Sequence, residues 1–98
     1  MIRIPDNLKG CFWDIDAEST DLEECRDFAV ARLFTKGGRE GISFALKTFT
    51  DEEIKHAARV RRDLNPIVAN WLSSYYGVPK DEMIYYKLGL DKNPLWRN

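Results

Sequence analysis

The chain has little of what catalytic and metal-binding sites require. It contains one histidine, His56, and two cysteines, Cys11 and Cys25, and none of them has a second ligand at the short spacing of zinc sites. No glycine-rich phosphate loop is present, and no recognisable pattern pairs a general base with a nucleophile. We therefore expect a non-enzymatic protein without a cofactor or a metal.

Long apolar runs are also missing from the sequence. No stretch approaches the roughly 20 apolar residues of a membrane span, and the opening segment MIRIPDNLKG lacks the apolar core of a secretory signal. Two cysteines are too few for a disulfide scaffold, so reduced thiols are expected. These absences predict a cytoplasmic protein that does not enter a membrane.

The composition is that of one small globular domain spanning residues 1–98. Hydrophobic residues make up 44% of the 98 residues and charged residues 32%, which is typical of a folded chain. The net charge of −1 is unevenly spread, with −4 over residues 1–35 and +3 over residues 36–62. This uneven charge distribution indicates a charged partner or self-association. A chance scatter of surface charge is the alternative.

Capping signals and apolar spacing predict helices throughout. Thr20 with Glu23 and Thr50 with Glu53 have the pattern of capping boxes, and Asn65-Pro66 has that of a helix start. The fold class is therefore all-α, a compact orthogonal bundle of about five short helices. The predicted helices cover residues 21–36, 39–49, 51–64, 66–76 and 79–88. The helix over 66–76 is expected to be the most buried. Residues 1–19 are expected to form an irregular docking segment, and residues 89–98 a tail, either anchored by Trp96 or unanchored.

The stretch FWDID at residues 12–16 is the most distinctive in the chain. A phosphatase nucleophile of the Asp-x-Asp type needs a β-sheet, and a calcium loop starting at Asp14 would have Ser19 in place of the required glycine and Cys25 in place of the required glutamate. The remaining interpretation is structural: the aromatic rings are buried, and the carboxylates accept hydrogen bonds from turn amides. An exposed aromatic that contacts a partner is the alternative. The residues assigned to this anchor or partner contact are Phe12, Trp13, Asp14, Asp16 and Trp71.

A basic helix provides a second candidate surface. Lys55, Arg59 and Arg62 share one predicted helical face, and residues 51–76 could form a helix-turn-helix that binds DNA. The candidate contacts to nucleic acid or another anion are Arg39, Lys55, Arg59, Arg61, Arg62 and Asn70. The second helix is mostly apolar, however, and the chain is slightly acidic, unlike most DNA-binding domains. A solvated charged face is the alternative.

Several stretches together resemble a family of short bacterial proteins of unknown function with an N-terminal Phe-Trp-Asp-x-Asp signature. The similar residues are Phe12–Asp16, Arg26–Phe28 with Arg32, Thr48–Phe49, Arg59–Arg62, Leu64–Pro66 and Asn70–Trp71. The resemblance implies a small helical protein with an antitoxin-like or regulatory role, and it implies no catalytic residue. The sequence thus favours a protein-interaction module whose partner is a protein such as a cognate toxin or a second copy, with DNA binding as the alternative.

Overall fold

A computed structural model describes residues 1–92, and these residues form helices and turns without a β-strand. The α-helices are α1 (Arg26–Lys36), α2 (Gly38–Thr48), α3 (Asp51–Val60), α4 (Pro66–Tyr76) and the single-turn α5 (Ile84–Lys87). Short 3₁₀ helices cover Asp6–Phe12, Lys80–Glu82 and Leu90–Lys92. The prediction of an all-α bundle is confirmed. No helix in the described range has the length and apolar character needed to cross a bilayer. Trp96 lies outside the described residues.

Helix α1 is the centre of the bundle. It packs against α2, α3 and the first 3₁₀ helix, and it buries a larger set of residues than any other helix: Ala29, Val30, Ala31, Leu33 and Phe34. The expectation that α4 is the most buried helix is therefore wrong. Helix α4 buries only Val68, Ala69 and Leu72, because it packs mainly on α3 along one side.

Local signals determine the start of α3 and both ends of α4. The capping box at Thr50 and Glu53 is present, with Thr50 Oγ1 accepting from the Glu53 amide at 3.2 Å and Glu53 Oε1 accepting from the Thr50 amide at 2.9 Å. Asn65 Oδ1 accepts from the Val68 amide at 2.8 Å, and Gly77 ends α4 in the left-handed conformation. These three predictions are confirmed.

The capping box predicted at Thr20 does not form, and α1 begins five residues later than expected, at Arg26. The Asp21 carboxylate accepts hydrogen bonds from the amides of Ile2 and Glu23, at 2.8 and 3.0 Å. Leu22 also donates its amide proton to the Ile2 carbonyl at 2.8 Å. Hydrogen bonds between Ile2 and residues 21–22 therefore replace the first predicted turn of α1.

The last predicted helix is also interrupted. Residues 80–82 form a 3₁₀ turn, Met83 is extended, and α5 then begins at Ile84. Met83 and Tyr85 are fully buried on either side of that start. In a continuous helix, side chains two positions apart point to different sides. The interruption of the helix at Met83 allows both Met83 and Tyr85 to be buried in the same core.

The corner between α1 and α2 depends on close backbone contact. A Cβ atom added at Gly41 would lie 2.6 Å from the carbonyl oxygen of Leu33, and one added at Gly37 would lie 2.7 Å from the Gly41 Cα. Gly38 has a φ of +61°, which favours glycine. The glycines thus allow α2 to fold back directly onto the end of α1.

Gly41→Ala is expected to destabilise the protein by about 1–3 kcal/mol, because the new methyl group would contact a backbone carbonyl that cannot move aside. The better helix propensity of alanine offsets only part of this cost. Gly10→Ala is the matched control, since the space around Gly10 is open, and its effect should stay within about 0.5 kcal/mol. Chemical denaturation measures both values, and equal stability of the two variants would contradict the close contact.

Candidate functional site

The FWDID stretch and helix α1 meet around one arginine. Phe12 ends the first 3₁₀ helix, Trp13 and Asp14 follow it, and Phe28 and Arg32 lie one turn apart on α1. We call these five residues the Arg32 cluster: Phe12, Trp13, Asp14, Phe28 and Arg32. The 3₁₀ helix is held on α1 by the buried side chains of Leu8, Cys11 and Phe12, so the cluster lies at the edge of the core.

Arg32 uses both the charge and the flat surface of its guanidinium. Its Nη1 and Nη2 donate to Asp14 Oδ1 and Oδ2 at 2.8 and 3.1 Å, and Nη1 also donates to the Cys11 carbonyl at 3.0 Å. The guanidinium carbon lies 4.6 Å from the Phe28 ring centroid, 4.8 Å from that of Trp13 and 5.9 Å from that of Phe12. The guanidinium thus hydrogen-bonds to oxygen atoms through its N–H groups, and aromatic rings contact its flat faces.

The electrostatics of the cluster follow from this pairing. The hydrogen bonds from Arg32 hold the pKa of the Asp14 carboxyl below its ordinary value, and the same contact raises the pKa of Arg32. Only 13% of the Arg32 side chain is exposed, which is tolerable because the charge is paired and hydrogen-bonded. With its carboxylate and guanidinium engaged with each other, the cluster connects the FWDID stretch to α1.

The predictions for FWDID are partly confirmed. Phe12 is buried, with 1% of its surface exposed, but Trp13 is 67% exposed, so the expectation that both rings are buried is wrong for Trp13. Asp16 accepts from the Glu18 amide at 3.0 Å, as expected of a turn residue. Asp14 pairs with Arg32 instead of local amides. The guanidinium offers two donors in a plane, which a single turn amide cannot match.

A second arginine flanks the cluster from the connection between α3 and α4. Arg61 donates from Nε and Nη2 to the two oxygens of Asp63, each at 2.9 Å, and its guanidinium lies 5.8 Å from the Phe28 ring centroid. Burial acts to raise the pKa of Asp63, but the hydrogen bond from Arg61 and the charges of Arg61 and Arg32 hold it below its ordinary value.

The residues proposed to contact nucleic acid do not form one continuous basic face. Helix α3 ends at Val60, so Arg61 and Arg62 lie in the extended connection, and the expected helical face of Lys55, Arg59 and Arg62 is wrong. Arg39 lies apart on α2, where it lines a second groove together with Asn7 and Lys47. The exposed Asn70 lies on α4.

Carboxylates compensate much of this positive charge. Lys55 pairs with Glu52 at 3.4 Å, Arg59 with Glu82 at 3.1 Å, and Arg61 with Asp63 at 2.9 Å. The connection over residues 61–65 is also longer than the three- or four-residue turn typical of a helix-turn-helix.

An apolar groove between α2 and α4 is the feature that sequence reasoning missed. Its cavity of about 160 Å³ is lined by Phe34, Ile42, Ile67, Val68 and Trp71. Ile67 is 81% exposed and Tyr75 is 64% exposed. The Trp71 ring stacks on Tyr75 with centroids 4.7 Å apart and lies 5.6 Å from Phe34. The apolar spacing of α4 shows that these residues share a side, but it does not show that no helix among residues 1–92 covers that side.

The described part of the chain does not bring potential metal ligands together. No group of three or more His, Cys, Asp or Glu side chains suited to a metal occurs among residues 1–92. His56 lies on the surface, with Nδ1 3.0 Å from Asp27 Oδ1. Cys11 and Cys25 are unbridged, and burial raises the pKa of both thiols.

Comparison with known proteins places the chain in a family. A model of a family of unknown function, DUF6922, matches residues 7–58, just over half of the chain. The chain belongs to this family. The match includes all five residues of the Arg32 cluster, whereas α4 lies outside it. Neither the curated proteins nor the solved structures contain a significant match. The expected membership in a family of unknown function is confirmed.

The two adjacent aromatics should differ sharply when truncated. Phe12→Ala is expected to cost about 3–5 kcal/mol, as for other large aromatics removed from a core. Trp13→Ala should cost only about 0.5–1 kcal/mol, because it removes an exposed ring that stacks on Arg32. Urea unfolding of the two variants measures the difference, and a loss at Trp13 as large as that at Phe12 would contradict the exposed placement.

Proposed function

We propose that this protein is a non-enzymatic interaction module that binds a protein through the groove between α2 and α4. The observation that carries the proposal is the exposed apolar surface of α4, formed by Ile67, Trp71 and Tyr75 around an open cavity. Contiguous exposed apolar patches of this kind on small proteins commonly mark interaction sites.

The chemistry of this surface resembles the centre of a protein interface. Residues 65–79 contain no Asp, Glu, Lys or Arg, although these four residue types make up 32% of the chain. Interface centres are depleted in charge and enriched in aromatic residues. Trp71 and Tyr75, stacked on each other, supply large contact area with little conformational freedom to lose.

Protein binding is better supported than the alternative of DNA binding. Binding to phosphates requires available cationic side chains, and Lys55, Arg59 and Arg61 are paired with carboxylates. The helix that would enter the major groove presents Ile67 and Tyr75 instead of charged groups. We extend the proposal to the antitoxin-like or regulatory role that the resemblance implies, because such proteins act by binding others, and we propose the cytoplasm, expected from the sequence, as its location.

Site-specific photo-crosslinking in living cells tests the proposal. The photoreactive residue p-benzoylphenylalanine replaces Ile67 in the groove or Leu88, an exposed apolar residue on the surface near α5. Position 67 is expected to give discrete protein adducts, because a bound partner would lie within reach, and position 88 is the matched control. Denaturing electrophoresis with mass spectrometry identifies the adducts. Equal or absent protein crosslinking at the two positions would overturn the proposal.

A further inference from the structure

We propose that the molecule seated on the α2–α4 groove is a second copy of this chain, related to the first by a two-fold axis that passes beside Ile67. This inference rests on the proposed function and names its partner. The charge, the shape and the polar groups of the surface around α4 support it.

The absence of charge on α4 is compatible with a two-fold axis close to this helix. Near a two-fold axis each residue faces the same residue of the other copy, so any charge there meets a like charge. Residues 65–79 carry no charged side chain, and the exposed residues Ile67, Asn70 and Tyr75 are all neutral. A different protein could instead match charges on this surface with opposite ones. The lack of charge across residues 65–79 therefore favours self-pairing.

The surface around α4 has both a projecting side chain and a cavity of a size that could hold it. Ile67 projects from the first turn of α4 with 81% of its surface exposed, and it forms the rim of a cavity of about 160 Å³. An apolar cavity of about 150 Å³ accommodates a molecule of the size of benzene, so the smaller side chain of isoleucine fits. A two-fold rotation beside Ile67 would place the projecting side chain of each copy in the cavity of the other.

Polar groups beside this apolar contact give it a defined orientation. Ile67, Asn70, Trp71 and Ser74 follow the spacing of one helical stripe, and both Asn70 and Ser74 are exposed. Their side chains hydrogen-bond without carrying charge, so they can pair across a two-fold axis. A neutral polar residue within an apolar helix contact favours one register over others.

Sedimentation velocity of the purified chain over a range of concentrations tests the inference. The wild type is expected to shift from the 11.4 kDa of one chain to twice that mass as its concentration rises toward about 1 mM. Ile67→Lys should stay a monomer, because it replaces the projecting side chain and places like charges near the axis. Leu88→Lys, the same kind of change at another exposed position, should dimerise as the wild type does.

Asn70→Asp is a second, nearly isosteric variant. It should weaken dimerisation by about tenfold or more at low salt, and added salt should reduce the effect, because the repulsion between two like charges is screened. Circular dichroism confirms that each variant is folded. A wild type that stays monomeric at all concentrations, or a dimer that neither variant weakens, would overturn the inference.

The outcomes separate this inference from the proposed function. Crosslinked adducts at position 67 that contain a different protein, together with a monomeric purified chain, would overturn the second copy and leave the interaction module standing. The absence of adducts and of dimers would overturn both.

Discussion

The contact between the Arg32 guanidinium and Asp14 joins the two parts from which the structure is built. Residues 1–25 contain no α-helix of their own. Their 3₁₀ helix packs against α1. The guanidinium binds the Asp14 carboxylate and the Cys11 carbonyl in its plane and the rings of Phe28 and Trp13 on its faces. It lies against the rings of both the buried Phe12 and the exposed Trp13, and it acts together with the buried side chains of Leu8 and Cys11 in holding the N-terminal segment on α1.

The chain divides its structural and proposed binding roles between different segments. The family match covers the Arg32 cluster and the glycine corner between α1 and α2, both of which hold the bundle together. Helix α4 lies beyond the match and carries Ile67 and Tyr75, two of the large apolar side chains that are exposed. We infer that the matched region provides a scaffold, and that α4 provides much of the binding specificity, with α2 contributing one wall of the groove.

Sequence reasoning succeeded where structure is decided by near neighbours. The caps at Thr50 and Asn65 and the end at Gly77 depend on residues within one turn, and they form as predicted. The cap at Thr20 fails because Asp21 bonds the amide of Ile2, 19 positions away. The pairing of Asp14 with Arg32 spans 18 positions, and no local pattern indicates it. Periodicity likewise identified the apolar side of α4, but it does not show that Ile67 stays exposed when residues 1–92 fold.

Hydrogen exchange measured by mass spectrometry on Arg32→Met tests the central role of Arg32 most directly. The variant keeps an apolar stem but leaves Asp14 and the Cys11 carbonyl without their partner, so the account predicts faster exchange over residues 6–15 and little change in α2 and α4. Arg59→Met, which removes the exposed pair with Glu82, is the matched control. Unchanged exchange over residues 6–15 in Arg32→Met would contradict the account.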